Sequence, residues 1–121
     1  DASATSRLAH DLVDHHGVSW LDASSGGLSS GAAIPVEPGY QVPLAARLRS
    51  DLAGTSAAVS AVGLVVDAHQ AETIVVTGQA DAVSIGRAAL RDPHWASAAA
   101  RALGVASQEN PQAASYWRSG F

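Results

Sequence analysis

The chain has 121 residues and seven basic side chains, all of them arginine. One, Arg87, lies in "GQADAVSIGRAALRDP" (78–93), where a run of small and β-branched residues ends at Gly86 and a helical pattern begins. A guanidinium at a strand-to-helix junction suits one chemistry above others. It offers a bidentate, charge-assisted contact to phosphate oxygens, and the short helix predicted over 88–91 adds free N–H groups and the positive end of its dipole. Gly63, near the end of an earlier strand pattern, lets backbone approach a ligand closely. The plainer alternative is that Gly86 turns the chain and Arg87 pairs with Asp81 or Asp92.

These residues need elements to hold them. Leu8, Leu12 and Val13 recur at helical spacing and predict a helix from Thr5 to His16, with Ser3 or Thr5 as its cap and Gly17 as its stop. "VSWLDASS" (18–25) predicts a buried strand, and a Gly- and Pro-rich loop follows from Gly26 to Gly39. A loop of that length in a compact domain is more often functional than idle. Leu44, Leu48 and Leu52 then stripe a second helix over 40–53, which Tyr40 starts and whose first turn tolerates Pro43. Residues 57–66 predict a second strand, 68–77 a helix capped by Asp67 and stopped by Gly78, and 81–85 a third strand ending at Gly86. Asp92 and Pro93 look like N-cap and first position of a last helix that ends near Leu103.

Alternation of this kind means parallel strands joined by right-handed crossovers. Three such strands in sequential order place every crossover helix on one face and leave the other face and both edges bare, which a parallel sheet does not tolerate alone. The expected fold class is therefore α/β, with this chain forming the C-terminal portion, about strands six to eight with their helices, of a (β/α)8 TIM barrel. Residues 1–104 would supply barrel strands and helices, and 105–121 a C-terminal tail. A doubly wound sheet would instead want its first Gly-rich turn to lead straight into a helix, whereas "SSGGLSSG" opens a long loop. The chain starts with Asp rather than Met and runs directly into a helical pattern, so further sequence is expected upstream.

Composition removes several classes of function. With 47% hydrophobic residues the chain can build a real core. A net charge of −4 argues against nucleic-acid binding. Without cysteine there are no disulfides, thiolate nucleophiles or zinc-thiolate sites. No apolar run reaches the roughly 20 residues of a membrane span, and no signal segment appears, so a cytoplasmic location with no membrane partner is the expectation. His15 and His16 close a helix, His69 falls in a first turn and His94 follows Pro93. Each is more simply a surface residue, and no metal site is expected.

Several segments together resemble a known family. "GVSWLDASSGGL", "PGYQVPLAARLR", "AVGLV", "QADAVSIGRAALRDPHW" and "YWRSGF" are similar, in order and spacing, to the C-terminal third of the Old Yellow Enzyme family of flavin-dependent ene reductases, most of all to its thermophilic-like branch. The resemblance spans nearly the whole chain. It implies an FMN enzyme that passes hydride from NAD(P)H to activated C=C bonds of enones; the alternatives are another phosphate-binding TIM-barrel enzyme, or a non-catalytic half of a split barrel that pairs with a complementary chain. Gly86 and Arg87 match the residues that hold the FMN phosphate, Gly63 and Leu64 the backbone contacts to the flavin, and Ser24 a hydroxyl facing the phosphate region. Arg118 matches an arginine that reaches the neighbouring subunit's active site. The family's proton-donating Tyr and the residues that grip the substrate carbonyl would lie upstream of Asp1, so no catalytic residue is expected on this chain.

One physical observation bears on the tail. Tyr116, Trp117 and Phe121, half of the six aromatic residues, fall within the last six positions. Aromatics gathered at a terminus usually dock on something, which favours a homo-oligomer joined through the tail; the alternative is that they fold back on their own barrel.

Overall fold

The computed structural model describes residues 1–26, 30–31, 33–34 and 36–110. Arg118 and the terminal aromatics lie outside the described residues, as does part of the 26–39 loop. Helix α1 (Ala2–His16) begins before the predicted Thr5, because Asp1 is its cap rather than Ser3 or Thr5: the carboxylate accepts from Ala4 N–H at 2.9 Å. Gly17 ends it with φ 68°, a left-handed conformation that glycine adopts without a Cβ penalty. Strand β1 (Trp20–Ala23), helix α2 (Val42–Asp51), strand β2 (Ala58–Ala61), helix α3 (Ala68–Val76), strand β3 (Ala82–Val83), helix α4 (Arg87–Arg91) and helix α5 (Trp95–Ala102) follow in order.

The three strands form one parallel sheet in sequential order, with Asp22 opposite Ser60 and Ser60 opposite Ala82. Strand alternation sorts the side chains. Leu21, Ala23, Val59, Ala61 and Val83 turn to the helical side, where Ala9 of α1, Ala45 and Leu48 of α2 and Ile74 of α3 complete the core. Helix α2 lies across β1 and β2, and α3 lies against β3. Trp20, Asp22 and Ser60 point to the opposite face, and Trp20 is 56% exposed there. The one-sided covering expected of three sequential parallel strands is what the chain adopts.

The strands are shorter than their sequence patterns predict. In β2 the extended run stops at Ala61 because Gly63 (φ 119°) and Leu64 (φ 54°) turn the chain before the expected end at Val66. In β3 only Ala82 and Val83 pair, bracketed by hydrogen bonds from Asp81 N–H to Val59 and from Ser84 N–H to Ala61, both 2.8 Å. The last helix also differs at its start. Asp92 does not cap it; its carboxylate accepts from His94 N–H at 2.9 Å, closing a local turn around Pro93, so α5 begins at Trp95. The Asp67 cap of α3 is as predicted, with its carboxylate accepting from Gln70 N–H at 3.0 Å.

One ion pair pins the N-terminal edge of the sheet. Asp81 accepts from Val59 N–H at 2.9 Å with one oxygen and from Arg49 Nε at 2.9 Å with the other, while Arg49 also donates to the Gly78 carbonyl at 2.9 Å. The Val59 N–H first, and then the Arg49 guanidinium, hold the Asp81 carboxyl below its ordinary value. A depressed folded-state pKa contributes stability that is present above the unfolded value of about 3.9 and is lost as pH falls through the lower folded value. Asp81→Asn should therefore destabilise the fold by about 1 kcal/mol at neutral pH, the low end for a charged hydrogen bond because the carboxylate is partly solvated. Thermal unfolding of both proteins across pH should show the difference shrinking below about pH 4.

Candidate functional site

Parallel pairing brings the C-terminal ends of the strands to one edge. There a pocket of about 140 Å³ is lined by Tyr40, Gln41, Gly63, Leu64, Gly86 and Arg87, among others. Four of the residues singled out from the sequence thus meet in one place. Gly63 cannot be replaced without strain: besides its positive φ, a Cβ would stand 3.0 Å from Gln41 Nε2 and 3.1 Å from the Tyr40 ring. Its carbonyl accepts from Gly39 N–H at 2.8 Å, which holds the end of the long loop against the end of β2. Leu64 is the one non-glycine residue with positive φ among the described residues. Backbone of that kind costs of order 1–3 kcal/mol and persists where surrounding structure over-determines it.

Gly86 leaves the other wall of the pocket open, since nothing lies within 4 Å of where its Cβ would be. Arg87 follows as the first residue of α4, and helix geometry leaves the N–H groups of Arg87, Ala88 and Ala89 without intrahelical acceptors. Among the described residues Arg87 has no carboxylate in ion-pair range. Both partners that the plainer reading offered are engaged elsewhere: Asp81 with Arg49 at the far end of β3, and Asp92 with the His94 N–H. The wall is steadied from α5, where Trp95 Nε1 donates to the Val66 carbonyl at 3.1 Å.

Ser24 does not line this pocket. It stands just past β1 and reaches the site indirectly, through Gln41. The Ser24 hydroxyl donates to Gln41 Oε1 at 3.4 Å, and the Ser25 N–H donates to the same oxygen. Gln41 is only 3% exposed. Sequence reasoning passed over it, although a glutamine between Tyr40 and the helix-opening Val42-Pro43 is a polar group in an otherwise apolar entrance. A second polar device was also missed. Asp22 Oδ2 accepts from the Ser60 hydroxyl at 2.6 Å and from the Ser84 hydroxyl at 2.8 Å, which links β1, β2 and the end of β3 on the face without helices. Ser60 is fully buried by this arrangement. Its signal was present in the even spacing of Asp22 along one strand and Ser60 along the next, but only the register aligns them.

A larger groove of about 470 Å³ runs along the open edge of β1, between α1 and α2. Leu8, Leu12, Trp20 and Leu44 line it, so it is mainly apolar, and its one cation, Arg47, is paired with Asp51 at 2.8 Å.

Comparison with known proteins follows the same line. The NADPH dehydrogenase of Geobacillus thermodenitrificans is 42% identical over 106 residues, covering 88% of this chain and 30% of that protein. The NADPH dehydrogenase of Listeria monocytogenes (strain EGD-e) is 40% identical over 102 residues, covering 84% of this chain and 29% of that protein. The chain belongs to the Old Yellow Enzyme family. No family model matches the sequence. This Old Yellow Enzyme family chain spans about 30% of the length of the curated relatives it matches.

The strained turn at the pocket gives a direct test of the geometry. Gly63→Ala should cost about 1–3 kcal/mol in urea unfolding, because positive φ and contact with Gln41 and Tyr40 act together. Gly17→Ala, also at positive φ but with nothing within 4 Å, should cost less. Equal costs at the two positions would mean that the packing around Gly63 contributes nothing.

Proposed function

We propose that this chain is the phosphate-holding part of an FMN-dependent ene reductase, supplying about strands six to eight of a (β/α)8 barrel. The observation that carries the reading is Arg87: a guanidinium with no carboxylate partner among the described residues, beside two glycines whose backbone lines the same small pocket. The fit to a phosphate group rests on three features of that pocket. Arg87 supplies a fixed positive charge with a planar fork of donors. The first turn of α4 supplies free N–H groups. Gly63 and Gly86 supply close backbone approach, and at Gly63 the pocket wall leaves no room for a side chain.

Barrel closure is supported by the covering of the sheet on one face only and by the apolar groove along β1. A parallel sheet is stable when both faces are covered and its edges are paired, so the preceding strand beside β1 and the barrel's first strand beside β3 would complete what these elements begin. The names of the matched relatives support NADPH as the reductant.

Bound FMN supplies the hydride chemistry, carrying reducing equivalents from NAD(P)H to the activated C=C bond of an enone. What this chain does is positional. Gly86, Arg87 and the Gly63–Leu64 turn hold the phosphate end, and Ser24 supports the same corner through Gln41. The 26–39 loop lies on the substrate side, and Arg118 reaches the site of a neighbouring subunit through the C-terminal tail. The proton donor, a tyrosine, belongs to the segment that completes the barrel.

Two measurements test this. Co-expressed with the remainder of the Geobacillus thermodenitrificans NADPH dehydrogenase, the chain should yield a yellow, FMN-containing assembly. Arg87→Ala should weaken FMN binding in that assembly by about 2 kcal/mol, roughly 30-fold. Unchanged flavin affinity would rule the phosphate role out. The purified 121-residue chain should not reduce 2-cyclohexenone with NADPH, and turnover by the chain alone would overturn the placement of the proton donor elsewhere.

A further inference from the structure

Among the described residues one fully buried side-chain polar atom lacks a hydrogen-bond partner, Oδ1 of Asn110. Two local turns bring it to its place. Gly104, at φ 74°, follows α5 in the left-handed conformation, with its N–H donating to the Arg101 carbonyl at 3.0 Å and the Val105 N–H to the Ala100 carbonyl at 2.9 Å. The chain then turns again, where the N–H groups of Glu109 and Asn110 both donate to the Ala106 carbonyl, at 2.9 and 3.1 Å. This sets Asn110 against the first turn of α5, and its Nδ2 donates to the Ser97 carbonyl at 3.1 Å. A carbonyl can only accept, so that contact identifies the nitrogen and puts Oδ1 on the other side of the amide. Only 4% of Asn110 is exposed. A buried acceptor without a donor is costly, and native structures as a rule supply one.

The residues that follow Asn110 offer the donor. A partner arriving from outside cannot touch a fully buried atom, whereas the next residues stand beside it in the chain. Pro111 has no N–H, so the first backbone donor after Asn110 is that of Gln112. Asparagine side chains accept from the backbone N–H two residues on, and Asn-Pro is a dipeptide that starts turns. We propose that Asn110 is the positioning residue of the C-terminal tail: Oδ1 accepts the Gln112 N–H while Nδ2 holds the Ser97 carbonyl, so that residues 111–121 leave α5 in one direction. Pro111, whose ring fixes φ at about −65°, stiffens that exit. The direction matters because Tyr116, Trp117 and Arg118 follow within a few residues. Its use rests on the reading in which they reach a neighbouring subunit, and a tail held in one direction loses less conformational freedom when it docks.

The test uses the co-expressed assembly and chymotrypsin, which cuts after Tyr116 and Trp117, with loss of the terminal residues followed by intact mass. Asn110→Ala removes the acceptor, and Gln112→Pro removes the donor. Each should speed cleavage of the tail about fivefold, as expected for one neutral hydrogen bond, and the double variant should be no faster than either alone. Multiplied effects in the double variant, or no effect of one substitution, would overturn the proposal. Trp117→Ala, read by light scattering, separates it from the intersubunit reading. If the assembly keeps its size while the cycle is non-additive, the Asn110 exit stands and the subunit contact is wrong. If the assembly shrinks while the effects multiply, the contact stands and the exit is wrong. Should Asn110→Ala or Gln112→Pro fail to fold, hydrogen exchange on the unaltered assembly decides: the Gln112 amide should be at least about fivefold better protected than the Ala113 amide, and equal protection would show that Asn110 does not hold it.

Discussion

Parallel pairing of β1, β2 and β3 governs the rest of the molecule, because strands that run the same way deliver their C-terminal ends to one edge. Each crossover must then return over the sheet, and here all return over the same face. The burial of Val59 and Ala61 between strands and helices follows from this, as does the meeting of Gly63 and Arg87, which lie far apart in sequence. The two ends of the sheet divide the work. At the N-terminal edge the Asp81–Arg49 pair ties strands to helices, and its partners are satisfied within the fold. At the C-terminal edge Arg87 remains without such a partner among the described residues.

The two faces divide the work as well. On the helical side the contacts are apolar and non-directional, and small residues such as Ala45 and Ala61 let helix and strand approach closely. On the other side Asp22 gathers the hydroxyls of Ser60 and Ser84, a directional link that sets the relative height of three strands. Ser84 lies two residues before Gly86, so the same link fixes where the Arg87 junction stands. Buried polar contacts of this kind add little net stability, but they specify one arrangement over its neighbours.

Membership of the Old Yellow Enzyme family and coverage of about 30% of its relatives' length suit a chain whose sheet is covered on one face and whose β1 edge opens onto an apolar groove. The proposed role is correspondingly partial. A corner that holds a phosphate group positions a cofactor without reacting with it, and what such a corner needs is rigidity. The glycine-bound turn at Gly63, the left-handed Leu64 and the buried Gln41 amide provide that in backbone and side chain together.

Much of the fold was legible in the residues themselves. Apolar spacing placed every helix and strand, and Asp67, Gly17 and Gly78 marked ends correctly, because periodicity and capping are local properties of the chain. The cation at a strand end and the glycine of the preceding strand were also readable, since glycine and arginine are conspicuous by type. The exact strand ends were not, because pairing stops where a neighbour is missing or the backbone turns, as at Gly63 and Leu64. Nor was the local turn that takes Asp92 away from α5. Gln41 and the Asp22–Ser60–Ser84 link were hidden for the same reason: their meaning depends on register across strands and on burial by distant segments. The chain alone determined which groups were available, and tertiary packing decided which were satisfied, like the Gln41 amide oxygen that takes the Ser24 and Ser25 donors, and which, like the Arg87 guanidinium, were left without a carboxylate partner among the described residues beside a pocket.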